Sequence, residues 1–343
     1  MSTDLEIGVL GAGSVGCYVG GRLAAGGAPV TFVGRERLGA EMRQHGLTLT
    51  ALDALTARIP ADRLRFHTEA SALAECEVVL CCVKSAATAE AGRALARALR
   101  RPALVVSLQN GVRNPSVLRE ELPGSTVLGG IVGFNVMSKG QGTFHRATSG
   151  QLAVESSGDP RAARLVERLR ASGFDVVRPA SIEPVLWTKL LMNLNNSVSA
   201  LSGVPTRDLV LSPGYRRILG ALIGEGLRVL RAAGIRTARL GPLPVGVFPV
   251  ALKLPTAIVR LVARAQLAID AEARSSMWED LSKGRSTEVD WLNGEIVHLA
   301  RASGGRAPLN QRMVELVHEV ETLAQGSPDL SADELWRRLT AGP

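Results

Sequence analysis

One stretch of the C-terminal half carries an ammonium group and several amides at helical spacing. Lys189, Asn193 and Asn196 stand at positions i, i+4 and i+7, so a helix would present them on one face. Such a stripe is most often simply solvated. Asparagine is a poor helix former, however, so three asparagines within four residues favour a functional reason. An ammonium group held in place can stabilise developing negative charge and donate a proton.

A glycine-rich turn lies close to the N-terminus, between an apolar strand-like run and a helix-like segment. It reads Gly11, Ala12, Gly13, Ser14, Val15, Gly16. In this setting the first glycine permits a tight turn, the second lets the backbone approach a pyrophosphate, and the third allows close helix–strand packing. The helix N-terminus attracts phosphate charge. The context favours dinucleotide binding over a purely structural turn.

The end of the second predicted strand distinguishes the two nicotinamide cofactors. An NAD site places Asp or Glu there for the ribose 2′-hydroxyl, whereas an NADP site uses Arg near the 2′-phosphate. The chain has Gly34-Arg35-Glu36 at this point, with no acid directly at the strand end. This order favours NADP bound by Arg35; the alternative is that Arg35 is only solvated and Glu36 binds the ribose.

Two further polar features follow predicted strands. Lys84 follows the strand Val78–Val83, and Gln109-Asn110-Gly111 follows the strand Ala103–Leu108. Each alone is commonly a solvated turn. Ligands of a doubly wound sheet bind beyond the carboxyl ends of its strands, so the coincidence of both features there favours a binding role.

Two later segments, Ser275–Asp280 and Thr287–Glu295, complete a set of motifs that resembles the ketopantoate reductase (2-dehydropantoate 2-reductase) family. The shared motifs, in family order, are the glycine turn, the strand-end lysine, Gln-Asn-Gly, Trp-x-Lys-Leu-x-x-Asn, Ser-Met-x-x-Asp and Thr-Glu-h-Asp-x-h-Asn-Gly, where h is apolar. The resemblance covers nearly the whole chain, and the last three motifs together are quite specific.

The resemblance implies a role for each candidate residue. Lys189 corresponds to the catalytic lysine that protonates the substrate oxygen while NADPH delivers hydride to the ketone carbon, and Glu288 to an acid near the cofactor and the catalytic centre. The substrate-binding candidates are Asn110, Asn193, Asn196 and Ser276, the last at the substrate carboxylate. The cofactor-binding candidates are residues 11–16, Arg35, Lys84, Asn110 and Glu288. No metal site is expected.

The chain departs from the family pattern at two places. The second asparagine of the helix often follows the first by four positions, where this chain has Ser197, so Asn196 takes its place. Beyond the helix, Val204-Pro205-Thr206 stands where some members have another substrate-binding asparagine. The predicted activity is NADPH-dependent reduction of 2-dehydropantoate to (R)-pantoate, on the route to pantothenate and coenzyme A. The alternatives are a D-2-hydroxyacid dehydrogenase, a reductase of another branched 2-oxo acid, and a non-catalytic NADP-binding sensor.

Alternating apolar runs and helix-like stretches predict the elements that position these residues. The runs Leu5–Leu10, Val30–Val33, Val78–Val83, Ala103–Leu108 and Val127–Val132 have the pattern of buried parallel strands. Thr143–Glu155 reads as further strands at the sheet edge. The segments that read as helices after them are Ile182–Ser202, Gly214–Ala233, Leu254–Ser282, Glu288–Ala302 and Gln311–Ala324. The fold class is therefore α/β: a Rossmann-type doubly wound sheet over residues 1–180, followed by an all-helical catalytic domain over residues 181–343.

Composition excludes several other classes of protein. The 343 residues carry a net charge of +8, yet the basic residues are spread along the chain and only 3% of residues are aromatic, so we expect no nucleic-acid binding. There is no signal-like N-terminus and no apolar run of spanning length, which predicts a cytoplasmic protein without membrane contact. The partner is a small 2-oxo acid. The apolar stretch Leu240–Leu252 either covers a homodimer interface or lines the substrate cleft.

Overall fold

The computed structural model describes residues 5–51, 57–241, 243–262 and 274–341. The chain divides into two compact units, Met1–Glu183 and Pro184–Pro343. The strands of the first unit are β1 Ile7–Leu10, β2 Val30–Val33, β3 Leu47–Ala51, β4 Ala57–Ile59, β5 Arg65–His67, β6 Val78–Cys81, β7 Leu104–Ser107, β8 Thr126–Val132, β9 Val136–Gly140, β10 Thr143–Arg146, β11 Leu152–Val154 and β12 Val176–Val177. Its α-helices are α1 Ser14–Ala25, α2 Glu36–His45, α3 Thr88–Ala98, α4 Asn114–Glu121 and α5 Pro160–Ala171.

The main sheet of the first unit has eight strands in the order β12-β11-β8-β7-β6-β1-β2-β5. The six strands from β8 to β5 run parallel, and β11 pairs with β8 in the antiparallel sense. Side chains alternate between two cores: Ile7 and Val9 of β1 lie in one and Leu10 in the other. Burial on both faces explains why these strands are continuously apolar. The doubly wound sheet predicted for the N-terminal half is confirmed.

A second, four-stranded sheet corrects one prediction. Its order is β4-β3-β10-β9, and β10 pairs in parallel with β3. The prediction that all of Thr143–Glu155 lies at the edge of the main sheet is therefore wrong: only β11 joins that sheet, beside β8. The small sheet packs on α1, where Gly21 leaves room for Leu47 and Leu49.

The described residues of the second unit form helices joined by turns and loops, with no strand among them. Its α-helices, the first of which begins one residue before the boundary, are α6 Glu183–Asn193, α7 Asn195–Ser202, α8 Thr206–Leu211, α9 Pro213–Ala232, α10 Phe248–Ala251, α11 Thr256–Val262, α12 Ser276–Ser282, α13 Asn293–Ala302, α14 Pro308–Leu323 and α15 Ala332–Thr340. Short 3-10 turns cover Val245–Val247 and Val289–Trp291. None of the helices in the described ranges combines the length and apolar character needed to cross a membrane.

Two predicted helices differ in the structure, one by a break and one by a later start. The single helix expected over Ile182–Ser202 breaks at Leu194, whose amide donates to the carbonyl three residues back, at Leu191, over 3.4 Å. The helix expected from Glu288 instead begins at Asn293, after the 3-10 turn. Of the helix predicted over Leu254–Ser282, α11 and α12 are present, and residues 263–273 lie outside the described residues.

A buried polar cluster holds three helices of the second unit together. The carboxylate of Glu225, on α9, accepts hydrogen bonds from the backbone amides of Leu309 and Asn310 at 3.1 and 2.8 Å. These amides belong to the first turn of α14, where no preceding helical carbonyl is available to accept their hydrogen bonds. The Asn310 side chain then accepts from Asn293 Nδ2 at 3.0 Å, which fixes the start of α13.

Candidate functional site

The glycine turn lies where the strand order of the main sheet reverses. The chain leads from β1 outward to β2 and β5, and then returns to β6 on the other side of β1. Gly11 follows β1 with φ of +95°, and a Cβ there would lie 2.5 Å from the backbone nitrogen of Val83, just beyond β6. Only glycine fits this close approach. Ligands of open α/β sheets bind at such a point.

The turn has the properties of a phosphate cradle. A Cβ on Gly16 would lie 2.4 Å from the Gly11 carbonyl oxygen, whereas a Cβ on Gly13 would meet no atom within 4 Å. Gly13 therefore faces open space rather than protein. It is the N-cap of α1, gives no side-chain cap, and no acidic residue stands in the first helical turn. The amide of Ala12 donates to the Val33 carbonyl at 2.9 Å, which fixes the turn, while Ser14 and Val15 stand in the first turn of α1, where backbone amides suit an anion such as a pyrophosphate.

Arg35 and Glu36 occupy different environments after β2. Arg35 is exposed at the N-cap position of α2. Glu36, in the first turn of the same helix, forms an ion pair with Arg43. The Glu36 carboxylate, which is the alternative ligand for the ribose, thus already has a cationic partner. Arg35 stands at the strand end, where a 2′-phosphate would bind.

Lys84 and Asn110 come from neighbouring loops of the same sheet edge. Lys84 is exposed at the start of the 3-10 turn Ser85–Ala87, after β6. Asn110 is partly exposed after β7, which pairs in parallel with β6, and precedes Gly111 with φ of +88°. The first unit therefore brings the glycine turn, Arg35, Lys84 and Asn110 to the carboxyl edge of adjacent strands.

Lys189 has an altered acidity. It lies on α6 with only part of its side chain in contact with solvent, and burial lowers the pKa of its ammonium from 10.5 to about 8. The negative charge of Glu288 acts in the opposite direction and raises this pKa. Glu288 directly precedes the 3-10 turn Val289–Trp291. The second unit thus brings these two residues into electrostatic contact, and the pKa of the lysine falls near neutral pH.

The helix break changes how the asparagines are presented. Asn193 is the last residue of α6 and still shares a helical face with Lys189, whereas Asn196 lies in the first turn of α7 and no longer belongs to that continuous face. Both are partly exposed. Ser197 is fully buried, and its hydroxyl donates to the Leu194 carbonyl at 3.1 Å. Of the two candidates for the second asparagine position, only Asn196 is open to a ligand.

Ser276 is exposed at the first helical residue of α12, beside a residue that the motif analysis missed. Ser275 is buried, and its hydroxyl accepts from the Trp278 amide at 3.1 Å and donates to the Asn196 carbonyl at 3.0 Å. It therefore caps α12 and ties it to α7 at the same time. Serine is a favoured N-cap residue, and its position directly before Ser276 is the sequence signal that could have revealed it.

Comparison with known proteins assigns both parts of the chain to one family. The family model described as "Ketopantoate reductase PanE/ApbA" matches residues 7–158, and "Ketopantoate reductase PanE/ApbA C terminal" matches residues 181–321. The chain belongs to the ketopantoate reductase family. A 2-dehydropantoate 2-reductase from Halobacterium salinarum is 32% identical over 319 residues, which cover 91% of this chain and 98% of that protein.

Solved structures agree with membership of the ketopantoate reductase family. A PanE/ApbA family ketopantoate reductase from Ralstonia eutropha JMP134 matches with a TM-score of 0.78 and 30% identity, over 93% of this chain and 99% of its own. D-mandelate dehydrogenase in complex with NADH and anilino(oxo)acetate shares the fold with a TM-score of 0.76 at 19% identity, over 93% and 99% of the two chains. Membership of the ketopantoate reductase family makes the chain an oxidoreductase, and its own glycine turn independently indicates a nicotinamide dinucleotide as the cofactor.

Proposed function

We propose that this ketopantoate reductase family member reduces 2-dehydropantoate to (R)-pantoate with NADPH, a step toward pantothenate and coenzyme A. The observation that carries the proposal is the placement of Lys189 on α6, where it is partly buried and in electrostatic contact with Glu288. Burial lowers the pKa of its ammonium to about 8, so the group is protonated near neutral pH yet acidic enough to donate. The name of the Halobacterium relative supports the substrate. Exposed Arg35, with Glu36 engaged by Arg43, supports NADPH over NADH.

The chemistry of ketone reduction calls for a cation at the oxygen. Reduced nicotinamide, when bound, supplies the hydride that adds to the ketone carbon. The carbon–oxygen π bond breaks as the new C–H bond forms, and its electron pair moves to the oxygen. Lys189 Nζ stabilises this charge and transfers a proton to the oxygen, which leaves the lysine neutral. Because Glu288 favours the charged lysine, it helps restore the proton between turnovers.

The remaining candidates orient the two small molecules. Asn193 and Asn196 offer amides near Lys189 in sequence, and the Ser276 hydroxyl binds the substrate carboxylate. Lys84 and Asn110 contact the cofactor, with Asn110 also reaching the substrate. Ser197 is buried and bonded to Leu194, so the second amide comes from Asn196 instead, and Val204-Pro205-Thr206 offers no asparagine where some family members have one. This difference supports a second candidate function. It is the reduction of another branched or aromatic 2-oxo acid, as by a D-2-hydroxyacid dehydrogenase.

Turnover measurements with matched lysine variants test the proposal. We expect NADPH oxidation with 2-dehydropantoate, and a kcat lower by about 10²- to 10⁴-fold in Lys189→Met, because a general acid contributes a factor of that size. Lys283→Met is the control, since Lys283 is exposed and pairs with Glu279 at the surface. Wild-type protein without turnover, or an undiminished rate in Lys189→Met, would reject the proposal. A faster rate with an aromatic 2-oxo acid would establish the second candidate instead.

We also propose a homodimer formed through an apolar row of the second unit. The row consists of exposed side chains spaced three or four residues apart, namely Leu243, Val247, Val250, Leu254, Ile258 and Leu261. Val250 and Leu261 are 69% and 73% exposed. Contiguous exposed apolar residues of this kind mark association surfaces. Of the two interpretations of Leu240–Leu252, its exposure favours the interface.

A further inference from the structure

Five buried polar side chains connect the loops that carry Lys84 and Asn110. They are at most 4% exposed, and they are Ser85, Thr88, Ser107, Gln109 and Asn114. The first two follow β6, Ser107 ends β7, Gln109 lies in the loop after β7, and Asn114 is the first residue of α4. Polar groups buried at this level are costly unless each finds a hydrogen-bond partner. Their partners therefore show what the cluster does.

Gln109 and Thr88 link the two loops side chain to side chain. Gln109 Oε1 accepts from the Ser107 hydroxyl at 2.9 Å, and its Nε2 donates to the Val83 carbonyl at 3.1 Å and to Thr88 Oγ1 at 2.7 Å. The Thr88 hydroxyl in turn lies 2.8 Å from two acceptors, the Ser85 carbonyl and Asn114 Oδ1, which share its single proton. Thr88 is thus the junction through which Gln109 reaches Asn114.

The network converges on one backbone atom, the carbonyl oxygen of Asn110. Ser85 Oγ donates to it at 2.8 Å and Asn114 Nδ2 at 2.5 Å. Asn114 Nδ2 also donates to Ser85 Oγ at 3.1 Å, which closes the network on itself. With both donors supplied from buried side chains, the peptide after Asn110 is held in one orientation, and Gly111 with φ of +88° makes the turn that follows. A buried network that is satisfied in this way rigidifies the segments it joins.

We propose that Thr88 and Asn114 are positioning residues that hold the Lys84 and Asn110 loops ready for the nicotinamide end of the cofactor. This inference rests on the proposed function, because it takes Lys84 and Asn110 as cofactor contacts. Neither positioning residue needs to contact the ligand, since both are buried behind the loops they join. The adenosine end is held separately, by the glycine turn and by Arg35 after β2.

Binding of two ligands by a Thr88→Val variant tests the inference. Valine keeps the shape of threonine but leaves Gln109 Nε2 and Asn114 Oδ1 each without the Thr88 hydroxyl. We expect the Kd for NADPH to rise roughly 2- to 30-fold, the range for residues that act through a network. The Kd for adenosine 2′,5′-bisphosphate, which lacks the nicotinamide, should stay within about twofold of the wild-type value. Isothermal titration calorimetry measures both, and Thr88→Ser should restore NADPH binding.

A matched variant separates positioning from general loss of stability. Thr50→Val makes the same substitution in the small sheet, where Thr50 Oγ1 hydrogen-bonds His145 Nδ1 at 2.8 Å, and should leave both Kd values unchanged. Asn114→Asp, which replaces the donor to the Asn110 carbonyl with a carboxylate, should reproduce the selective loss if Thr88→Val does not fold. Equal weakening of both ligands, or wild-type affinity for both, would overturn the inference. Wild-type turnover of NADPH with 2-dehydropantoate reports separately on the proposed function.

Discussion

Glu288 and Lys189 form an electrostatic pair within the second unit. Burial disfavours the charged lysine and lowers its pKa to about 8, while the Glu288 carboxylate opposes that change. The pKa of Lys189 is thus set by two effects of opposite sign. A lysine with this pKa is mostly protonated at neutral pH and becomes neutral as the pH rises through about 8. If it donates the proton in ketone reduction, the reaction must slow over that range.

Replacing Glu288 should move the pH dependence in a defined direction. In Glu288→Gln the desolvation of Lys189 remains but the charge that opposes it is gone, so the pKa of the lysine falls below about 8. We expect the alkaline decline of kcat/KM to begin at lower pH than in wild type. Steady-state rates between pH 6 and 10 on saturating NADPH measure the shift. A decline that stays in place, or moves to higher pH, would contradict the pairing.

Gly13→Ala should separate cofactor binding from folding. A Cβ at this position meets no protein atom within 4 Å and the residue has extended backbone angles, so the variant should keep its thermal stability. The same Cβ would occupy the space through which a pyrophosphate approaches the turn. We expect weaker NADPH binding by about tenfold or more, equivalent to at least ~1.4 kcal/mol. Gly124→Ala, which also adds a Cβ in open space, is the control. Unchanged affinity in Gly13→Ala would place the cofactor elsewhere.

Cofactor preference should follow Arg35 rather than Glu36. Arg35→Asp removes the cation expected at the 2′-phosphate and supplies an acceptor for a ribose hydroxyl, so the ratio of kcat/KM for NADPH over NADH should fall by about 10-fold or more. Glu36→Gln should leave the ratio unchanged, because that carboxylate pairs with Arg43. If only Glu36→Gln alters the ratio, the cofactor assignment at this strand reverses.

Local sequence patterns predicted the sheet and the residues at its edge, because both depend on short-range features. Continuous apolar runs identified β1, β2, β6 and β7, and the residues that follow parallel strands necessarily meet at one edge. The small sheet was missed because β3 and β10 lie far apart along the chain and pair only in the folded unit. Its strands β3 and β10 are also only partly buried, so they lack the continuous apolar run on which the prediction relied.

The break at Leu194 was missed for a related reason. The segment around it carries a continuous helical pattern, and no glycine or proline marks the end of α6. What distinguishes it is the Leu194 carbonyl, which accepts from Ser197 Oγ, and the Asn196 carbonyl, which accepts from Ser275 Oγ on a distant segment. Serine hydroxyls that bind these backbone carbonyls compete with the hydrogen bonds of a continuous helix. Such competition cannot be recognised before the contacts are known.

Ser275→Ala should weaken substrate binding through a lost cap. The change removes the acceptor for the Trp278 amide and the donor to Asn196, which should cost about 1 kcal/mol of folding free energy. Because α12 carries Ser276 and α7 carries Asn196, the KM for the 2-oxo acid should rise while the Kd for NADPH stays constant. Ser331→Ala removes the equivalent cap of α15, where Ser331 accepts from the Glu334 amide at 3.3 Å, and should reduce stability alone. An equal rise of KM in both variants would contradict this prediction.

A single charge in the apolar row should dissociate the proposed homodimer. Val250 is 69% exposed and lies in the middle of the row. In Val250→Glu, dimer formation would bury the new carboxylate, which would lose its hydration without gaining a partner. We expect wild-type protein to sediment as a dimer at micromolar concentration and Val250→Glu as a monomer with unchanged helical content. Leu323→Glu introduces the same charge at a 62% exposed position on α14, outside the row, and should remain dimeric. A monomeric wild type, or dissociation by Leu323→Glu alone, would show that this row is not the interface.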